Sequence, residues 1–128
     1  MSYDLAAVAH AVADTLDKSF DGTVKVHPFP VQTFNVPAVI VAWPDLVEPS
    51  RVAPSVDRVR LPVMCAVGLD RTDQLSMLME DTAAALYRDR SLGGLARQLA
   101  VAMYRNYRAV NVAGADFLTA ELLLDLAT

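Results

Sequence analysis

The sequence predicts an α+β fold in which two helices pack on a mainly antiparallel sheet of about five strands. Two segments repeat apolar residues at helical spacing, and several others alternate apolar and polar residues with the period of a strand. Their order along the chain is α-β-β-β-α-β-β, which is typical of helices packed on one antiparallel sheet. A length of 128 residues suits a single domain that spans 1–128.

The first helix is predicted over 3–19. Apolar residues recur there three and four positions apart, which indicates one buried face. The sequence "DG" at 21–22 ends the helix. The buried face consists of Leu5, Val8, Ala9, Val12, Leu16 and Phe20.

The second helix is predicted over 73–88, after the sequence "DRTD". Either Asp70 or Thr72 can accept a hydrogen bond from the free amides of its first turn. Two glycines at 93–94 close the helical region. Its apolar stripe consists of Leu75, Leu78, Met79, Thr82 and Leu86.

Three strands are predicted between the helices. The first is "TVKVH" at 23–27, and the second is "AVIVAW" at 38–43, whose continuous apolar run indicates a strand covered on both faces. The third begins at Asp57 and alternates strictly, with Val59, Leu61, Val63, Cys65 and Val67 on one face. Pro62 cannot donate to a ladder, so this strand lies at an edge, or its Pro62 nitrogen faces away from the paired side.

The last third of the chain is ambiguous between helix and strand at 97–111. Leu95, Leu99 and Met103 would share one face of a helix, whereas "YRNYRAVNV" favours a strand. The sequence "AGAD" is a credible turn before the alternating segment 116–126. We therefore predict two antiparallel strands, over 97–111 and 116–126.

An extended proline-rich loop is predicted over 44–57, where Pro44, Pro49 and Pro54 recur at regular distance. Structureless loops of this length are uncommon inside compact domains and are usually functional or mobile. Three apolar residues in the loop, Val47, Val52 and Val56, are ones that a lone subunit has little reason to expose. Arg51 lies at the centre of this loop.

The composition excludes some classes of function. A net charge of −4 disfavours nonspecific binding of nucleic acid as a main task. The mean hydropathy of +0.30 indicates either a very well filled core or apolar surface reserved for other subunits. No apolar run approaches the roughly 18 residues that a membrane span needs, and the N-terminus does not resemble a secretory signal.

The residue types that commonly act as catalysts or metal ligands form no recognisable site in this sequence. Cys65 alternates with valines, so we expect a buried thiol that takes no part in catalysis. His10, Asp14 and Asp17 share one helix face, but their spacing matches no specific metal motif. His27 has no visible partner, and no glycine stands in a phosphate-binding or hydrolase motif. We predict no catalytic, cofactor-binding or metal-binding residue, and no enzymatic activity.

The most informative polar stretch is "YRNYR" at 104–108. On a regular strand, Tyr104 and Arg108 face one way, whereas Arg105 and Tyr107 face the other. Arginine and tyrosine also occur on ordinary solvated faces, and they can bind nucleic acid or protein. The acidic net charge favours protein. The predicted subunit interface is therefore Arg51, Tyr104, Arg105, Tyr107 and Arg108, with both Arg105 and Arg108 on accessible surface.

The chain resembles the tail terminator (tail completion) proteins of long-tailed bacteriophages, especially those of actinobacterial phages and prophages. The resemblance covers nearly the whole length. It lies in the order of the elements, in "VPAVIVAWPD" after the first strand, in "SLGG" after the second helix, and in "YRNYRAVNVAGADFLTAELLLDL" as a closing hairpin. None of these stretches is a catalytic motif.

The resemblance implies a small α+β structural subunit without enzymatic activity or cofactors. Six copies would form a ring on the finished tail tube, stop its growth and present a surface for the head-completion or connector protein. Its partners would be further copies of the chain and the major tail tube protein, with DNA only passing through the lumen and no membrane. The subunit would assemble in the host cytoplasm and remain at the head-proximal end of the virion tail.

Two other classes of protein stay open at this stage. A head-to-tail connector or another minor tail protein would share the size and charge of this chain. A small ligand-binding or enzymatic α+β domain would need a polar pocket, which the motifs and the two isolated histidines do not support.

Overall fold

A computed structural model describes residues 4–52 and 55–128 of the chain, in which two helices pack on a six-stranded sheet. The predicted α+β class is confirmed. Residue 3, with which the first helix was predicted to begin, and residues 53–54 of the predicted loop lie outside the described residues. The elements are α1 Leu5–Phe20, β1 Lys25–His27, β2 Ala38–Val41, β3 Leu46–Pro49, β4 Val56–Gly68, α2 Thr72–Arg88, β5 Gln98–Val112 and β6 Ala115–Ala127.

The sheet has the strand order β1-β2-β4-β6-β5, and β3 pairs with β4 on the same side as β2. Only β1 and β2 run parallel, and the other pairings are antiparallel. The prediction of a mainly antiparallel sheet is therefore confirmed. The ambiguous segment 97–111 is a strand, and it forms a long hairpin with β6.

Both helices cover one face of the sheet. Helix α1 contacts β1 and β2, whereas α2 contacts β4, β6 and β5. The odd-numbered residues of β4 and the even-numbered residues of β6 point into the core below the helices, as their alternation predicts. Each fully buried leucine or valine contributes about 1.5–3 kcal/mol relative to an exposed one, so this layer holds the fold together. The largest of these side chains are Leu16, Leu61, Met79, Leu86, Leu122 and Leu124.

The opposite face of the sheet is also buried in part, although neither helix lies on it. Leu123 and Ile40 lie on this face and are almost inaccessible to solvent. The connection between β1 and β2 reaches the same face at Phe34, whose ring packs 4.9 Å from that of Phe117. Strand β2 is consequently buried along its whole length, which confirms a strand covered on both faces.

Pro62 lies in a central strand, so the alternative that placed its strand at an edge is wrong. Strand β4 pairs with β6 on one side and with β2 and β3 on the other. The Pro62 carbonyl accepts from the Ala42 amide at 2.9 Å. Because the nitrogen and carbonyl of one residue point to the same side of an antiparallel strand, the missing donor faces residues 42–45. Regular pairing is interrupted there between β2 and β3, so the proline leaves no ladder partner unsatisfied.

The prediction of an unbroken loop over 44–57 needs a correction, because this segment contains β3 and the start of β4. Proline is depleted in strands, so the three prolines of this segment led to the prediction of a loop. Pro49 is the last residue of β3, at a register shift, where a proline disturbs pairing least. Val56 already belongs to β4 and is buried. The element order thus contains one more strand than predicted, α-β-β-β-β-α-β-β.

The beginning of α2 also differs from the prediction. Its N-cap residue is Arg71, and no side chain caps the helix, so neither Asp70 nor Thr72 takes that role. Helix α1 is capped by Asp4, whose carboxylate accepts from the Ala7 amide at 2.7 Å. It ends at Asp21 in the left-handed conformation, as the sequence indicates.

Candidate subunit interface

The hairpin of β5 and β6 forms one edge of the sheet. Strand β6 is paired on both sides, whereas β5 pairs with β6 alone among the described residues. The two strands meet at Ala113 and Gly114, which both have positive φ, as a two-residue hairpin turn requires. The far side of β5 therefore offers backbone and side chains to another molecule.

Two register shifts interrupt the pairing of β5 and change the face to which its side chains point. Register shifts occur between Val101 and Met103 and between Arg105 and Arg108, and Asn106 has a positive φ of 59°. Arg105 lies opposite Glu121 and Arg108 opposite Thr119, two positions apart on β6. The two arginines therefore share one face, which corrects the predicted alternation. Bulges are common at sheet edges, where they discourage indiscriminate strand pairing.

Arg105 is an internal anchor of the subunit. Its guanidinium forms ion pairs with Asp45 and, at 3.2 Å, with Glu121, and its side chain is only 27% exposed. The Asn106 amide donates to the same Glu121 carboxylate at 2.8 Å. The hydrogen bond to Asp45 is the main reason why the pKa of Arg105 is raised. Arg105 is therefore only partly accessible, less than the sequence led us to expect, because this side chain ties the β2–β3 junction to the hairpin.

Arg108 and Arg51 are both exposed, but they lie at different edges. Arg108 is on β5, and within the described residues it forms no ion pair. Arg51 follows β3, which is separated from β5 by β4 and β6. The structure therefore does not gather the five predicted interface residues into one surface. Their role as an interface remains a prediction.

Three tyrosines, Tyr87, Tyr104 and Tyr107, lie near one another beside the open edge, and we call them the tyrosine patch. Between 40% and 58% of each residue is exposed. The pKa of Tyr104 is raised by burial first, and then by Glu80, Tyr107 and Tyr87, which places these groups close together. The patch lies where the exposed side of α2 meets the outer edge of β5.

Tyr87 also links α2 to the edge strand. Its hydroxyl oxygen accepts from the Val101 amide at 2.9 Å, next to the first bulge of β5. The guanidinium of Arg90 lies 4.7 Å from the centre of the Tyr87 ring, within cation–π range. Tyr87 is absent from the predicted interface because that prediction considered only residues on a strand or in the proline-rich loop. The sequence does indicate an exposed aromatic residue here, because Tyr87 lies outside the apolar stripe of α2.

The tyrosine patch has the chemistry of a protein-binding surface. Tyrosine and arginine are enriched among the residues that dominate binding energy. A tyrosine buries a large apolar ring, and its hydroxyl provides a directional hydrogen bond. Met103 on β5 is also half exposed, so apolar surface flanks the edge on both faces. Such an arrangement suits a contact made by side chains, since the bulges disturb the backbone ladder.

The groups that were considered for chemistry lie elsewhere. Cys65 is inaccessible to solvent, as expected, and burial raises the pKa of its thiol to about 12. His10 packs edge-on against Phe29, with 5.1 Å between the ring centres. Burial, and then Lys25, lower the pKa of His27. In the part of the chain that the structure describes, no three His, Cys, Asp or Glu side chains cluster as metal ligands.

The comparisons with known proteins supply no relative. The chain matches no protein-family model, and a search of curated proteins finds no matching sequence. Within 4–52 and 55–128, no helix is long and apolar enough to cross a membrane.

Proposed function

We propose that the chain is the structural subunit of a phage tail terminator. Copies of it form a ring on the finished tail tube, end the polymerisation of the tube and provide the surface to which the head attaches. The resemblance in sequence implies six copies. The observation that carries the proposal is the tyrosine patch beside the open edge of a sheet, because it suits a contact between protein subunits.

A second exposed apolar surface supports the proposal. The segment from Trp43 to Val52, which we call the β3 arm, carries four exposed large apolar residues: Trp43, Leu46, Val47 and Val52. Trp43 is 74% exposed and Val52 is 93% exposed, which is unusual for a subunit that acts alone. Because the arm lies on the opposite side of β4 from β5, the chain has two unlike adhesive surfaces. Unlike surfaces on one subunit are what a closed ring with heterologous contacts needs.

The proposed role assigns each surface a partner. The tyrosine patch lies between neighbouring copies of the chain, and the β3 arm packs on a neighbour or on the major tail tube protein. The head-completion or connector protein binds the exposed end of the ring, and DNA passes through the lumen. The protein functions without a cofactor, in the host cytoplasm during assembly and afterwards at the head-proximal end of the tail.

Electron microscopy of tail tubes tests this role. The tail tube protein of the same phage or prophage is polymerised with and without the chain, and tube lengths are measured. We expect the wild-type chain to form a terminal ring and to stop growth. The variant Tyr104→Ala/Tyr107→Ala should lose both effects while its circular dichroism spectrum is unchanged.

The matched control is Leu69→Ala, an exposed apolar residue outside both surfaces. This variant should act as the wild type does. Tubes that keep growing in the presence of wild-type chain would contradict the proposal. Rings that bind only to the head vertex would instead support a head-to-tail connector.

A further inference from the structure

The backbone amides of β5 point alternately towards β6 and towards the outer side of the sheet. One hydrogen bond beside β6 shows which of them face outwards. The Thr128 amide donates to the Asp57 carbonyl of β4 at 2.9 Å. Because every second amide of a strand points to the same side, the Leu124 amide also points to β4. Leu124 therefore forms no ladder bond with its register partner on β5, Val101.

The Val101 amide consequently faces the outer side of the sheet. In an antiparallel pair without ladder bonds, both residues point their amides away from each other. The Tyr87 hydroxyl accepts from the Val101 amide at 2.9 Å, and Tyr87 belongs to α2, not to β6. Among the described residues, no strand lies on this side of β5. Tyr87 therefore occupies a donor that a further strand would need.

We propose that the Tyr87 hydroxyl closes the first part of the β5 edge to the addition of another strand. Strand addition uses the outward amides and carbonyls of an edge, and a donor that is already bonded within the subunit cannot take part. The inference concerns the edge of the free subunit, and it does not depend on the tail terminator role.

The two register shifts leave two longer regular runs on β5, at 98–101 and 108–112. In the first run, Leu99 and Val101 are the outward residues, since outward amides are two positions apart. The bond to Tyr87 leaves Leu99 as the one outward donor of that run. A single donor gives an added strand too few bonds to fix its register.

The first run needs this protection more than the second. Its sequence, "QLAV", carries no charge, and uncharged edge strands are prone to pair with other chains. The second run begins with Arg108, which is exposed, and a charged side chain on an edge discourages pairing. The two runs are therefore protected by different means.

The position of Tyr87 suits this task. It lies in the last turn of α2, next to Leu86, which is fully buried. The guanidinium of Arg90 lies 4.7 Å from the centre of the Tyr87 ring. The packed helix and the cation together hold the ring beside Val101, so the hydroxyl is in place before any strand approaches.

The variant Tyr87→Phe tests the inference, because it keeps the ring and removes only the hydroxyl group. Amide hydrogen exchange measured by NMR should become at least roughly fivefold faster at Val101, which loses one hydrogen bond. Exchange at Ala100, whose amide faces β6, should not change. Sedimentation should show self-association at a concentration roughly tenfold lower than for the wild type, because the freed edge gains backbone hydrogen bonds.

Two further variants serve as controls. Tyr107→Phe removes a hydroxyl from the same tyrosine patch without touching the Val101 amide, so it should behave as the wild type does. Tyr87→Phe/Ala100→Lys adds a charge at an exposed position of the first run. It should keep the fast exchange at Val101 but lose the added association, because lysine on an edge strand opposes pairing.

In the associated form of Tyr87→Phe, the Leu99 amide should become protected, since an added strand bonds to it. The inference is overturned if exchange at Val101 stays unchanged, if it rises without any gain in association, or if association leaves Leu99 unprotected. A lower free energy of unfolding without a gain in association would show that Tyr87 only ties α2 to β5, which also overturns it.

Discussion

Arg105 and Arg108 are three positions apart on β5, yet their side chains have different tasks. Arg105 is held between Asp45 and Glu121, whereas Arg108 is exposed. Replacement of an ion-paired arginine by glutamate would gather three carboxylates at a partly buried position. The same replacement at an exposed arginine removes no recorded contact.

We therefore expect opposite results from the two charge reversals. Arg105→Glu should lower the free energy of unfolding by about 1–2 kcal/mol, because it leaves the partly buried Glu121 and the exposed Asp45 without their cation and adds a third carboxylate. Arg108→Glu, the matched control, should change it by no more than about 0.5 kcal/mol. Urea unfolding followed by circular dichroism measures both values. Equal stability of the two variants would mean that the Arg105 ion pairs do not hold the hairpin.

Cys65 should react slowly with thiol reagents. Its side chain is inaccessible, and the raised pKa of its thiol, about 12 against an ordinary 9.0, makes the reactive thiolate about a thousandfold rarer. The matched control is Ser76→Cys, which places a second thiol at an exposed position of α2. We expect one fast and one slow phase from this variant. Rapid labelling of the native wild-type chain would contradict the buried position of Cys65.

The buried Cys65 thiol should also make the free energy of unfolding decrease at alkaline pH. Because the folded chain raises the pKa of Cys65, its contribution is complete below pH 9 and is lost between pH 9 and about 12. In that window the unfolded chain releases a proton that the folded chain retains. Relative to Cys65→Ala, the wild type should lose up to about 1.4 kcal/mol of unfolding free energy per pH unit. An unchanged difference between pH 8 and pH 10.5 would contradict this.

Among the elements, β5 shows what the alternation of residue types can predict and what it cannot. Its existence follows from the alternation in "YRNYRAVNV", and its bounds of 98–112 lie one residue from the predicted 97–111. The directions of its side chains could not be predicted, because each bulge inserts residues that have no partner on β6. Asn106 tolerates the positive φ of the second bulge better than most residues do.

Strand β3 shows a second limit. Propensity rules count a proline against a strand, and they cannot show that Pro49 ends an edge strand at a register shift. The partners of Arg105 were equally hidden, because Asp45 and Glu121 are 76 positions apart in sequence and meet only across the sheet. Local pattern therefore predicts which elements form, whereas contacts between distant elements need the folded chain.

The β3 arm should be the first site of cleavage in the free subunit. Arg51 and Val52 are exposed between β3 and β4, and a protease needs an accessible, locally unfolded stretch. Trypsin should cut after Arg51 before it cuts after the arginines of β4, and assembled rings should be protected. Arg51→Gln is the control and should remove the early fragment. Full resistance of a proven monomer at Arg51 would contradict this prediction.

At the scale of the whole molecule, the packing of two helices on one face leaves the outer side of β5 without a neighbouring strand among the described residues. The predicted hairpin placed Tyr104, Tyr107 and Arg108 at that edge. Tyr87 joins them because α2 ends above β5, which no pattern in the sequence shows. The separation of the β3 arm from the β5 edge is likewise seen only when the strand order is known, since the two lie on opposite sides of β4.

Trp43 is the single tryptophan of the chain, and it lies in the β3 arm with 74% of its surface exposed. Indole fluorescence of this protein therefore reports on the surroundings of that arm and of no other part of the chain. Any molecule that covers the arm takes the indole ring out of water, which shifts its emission to shorter wavelengths. The exposed tryptophan thus gives the protein an optical signal of its own for whatever binds there.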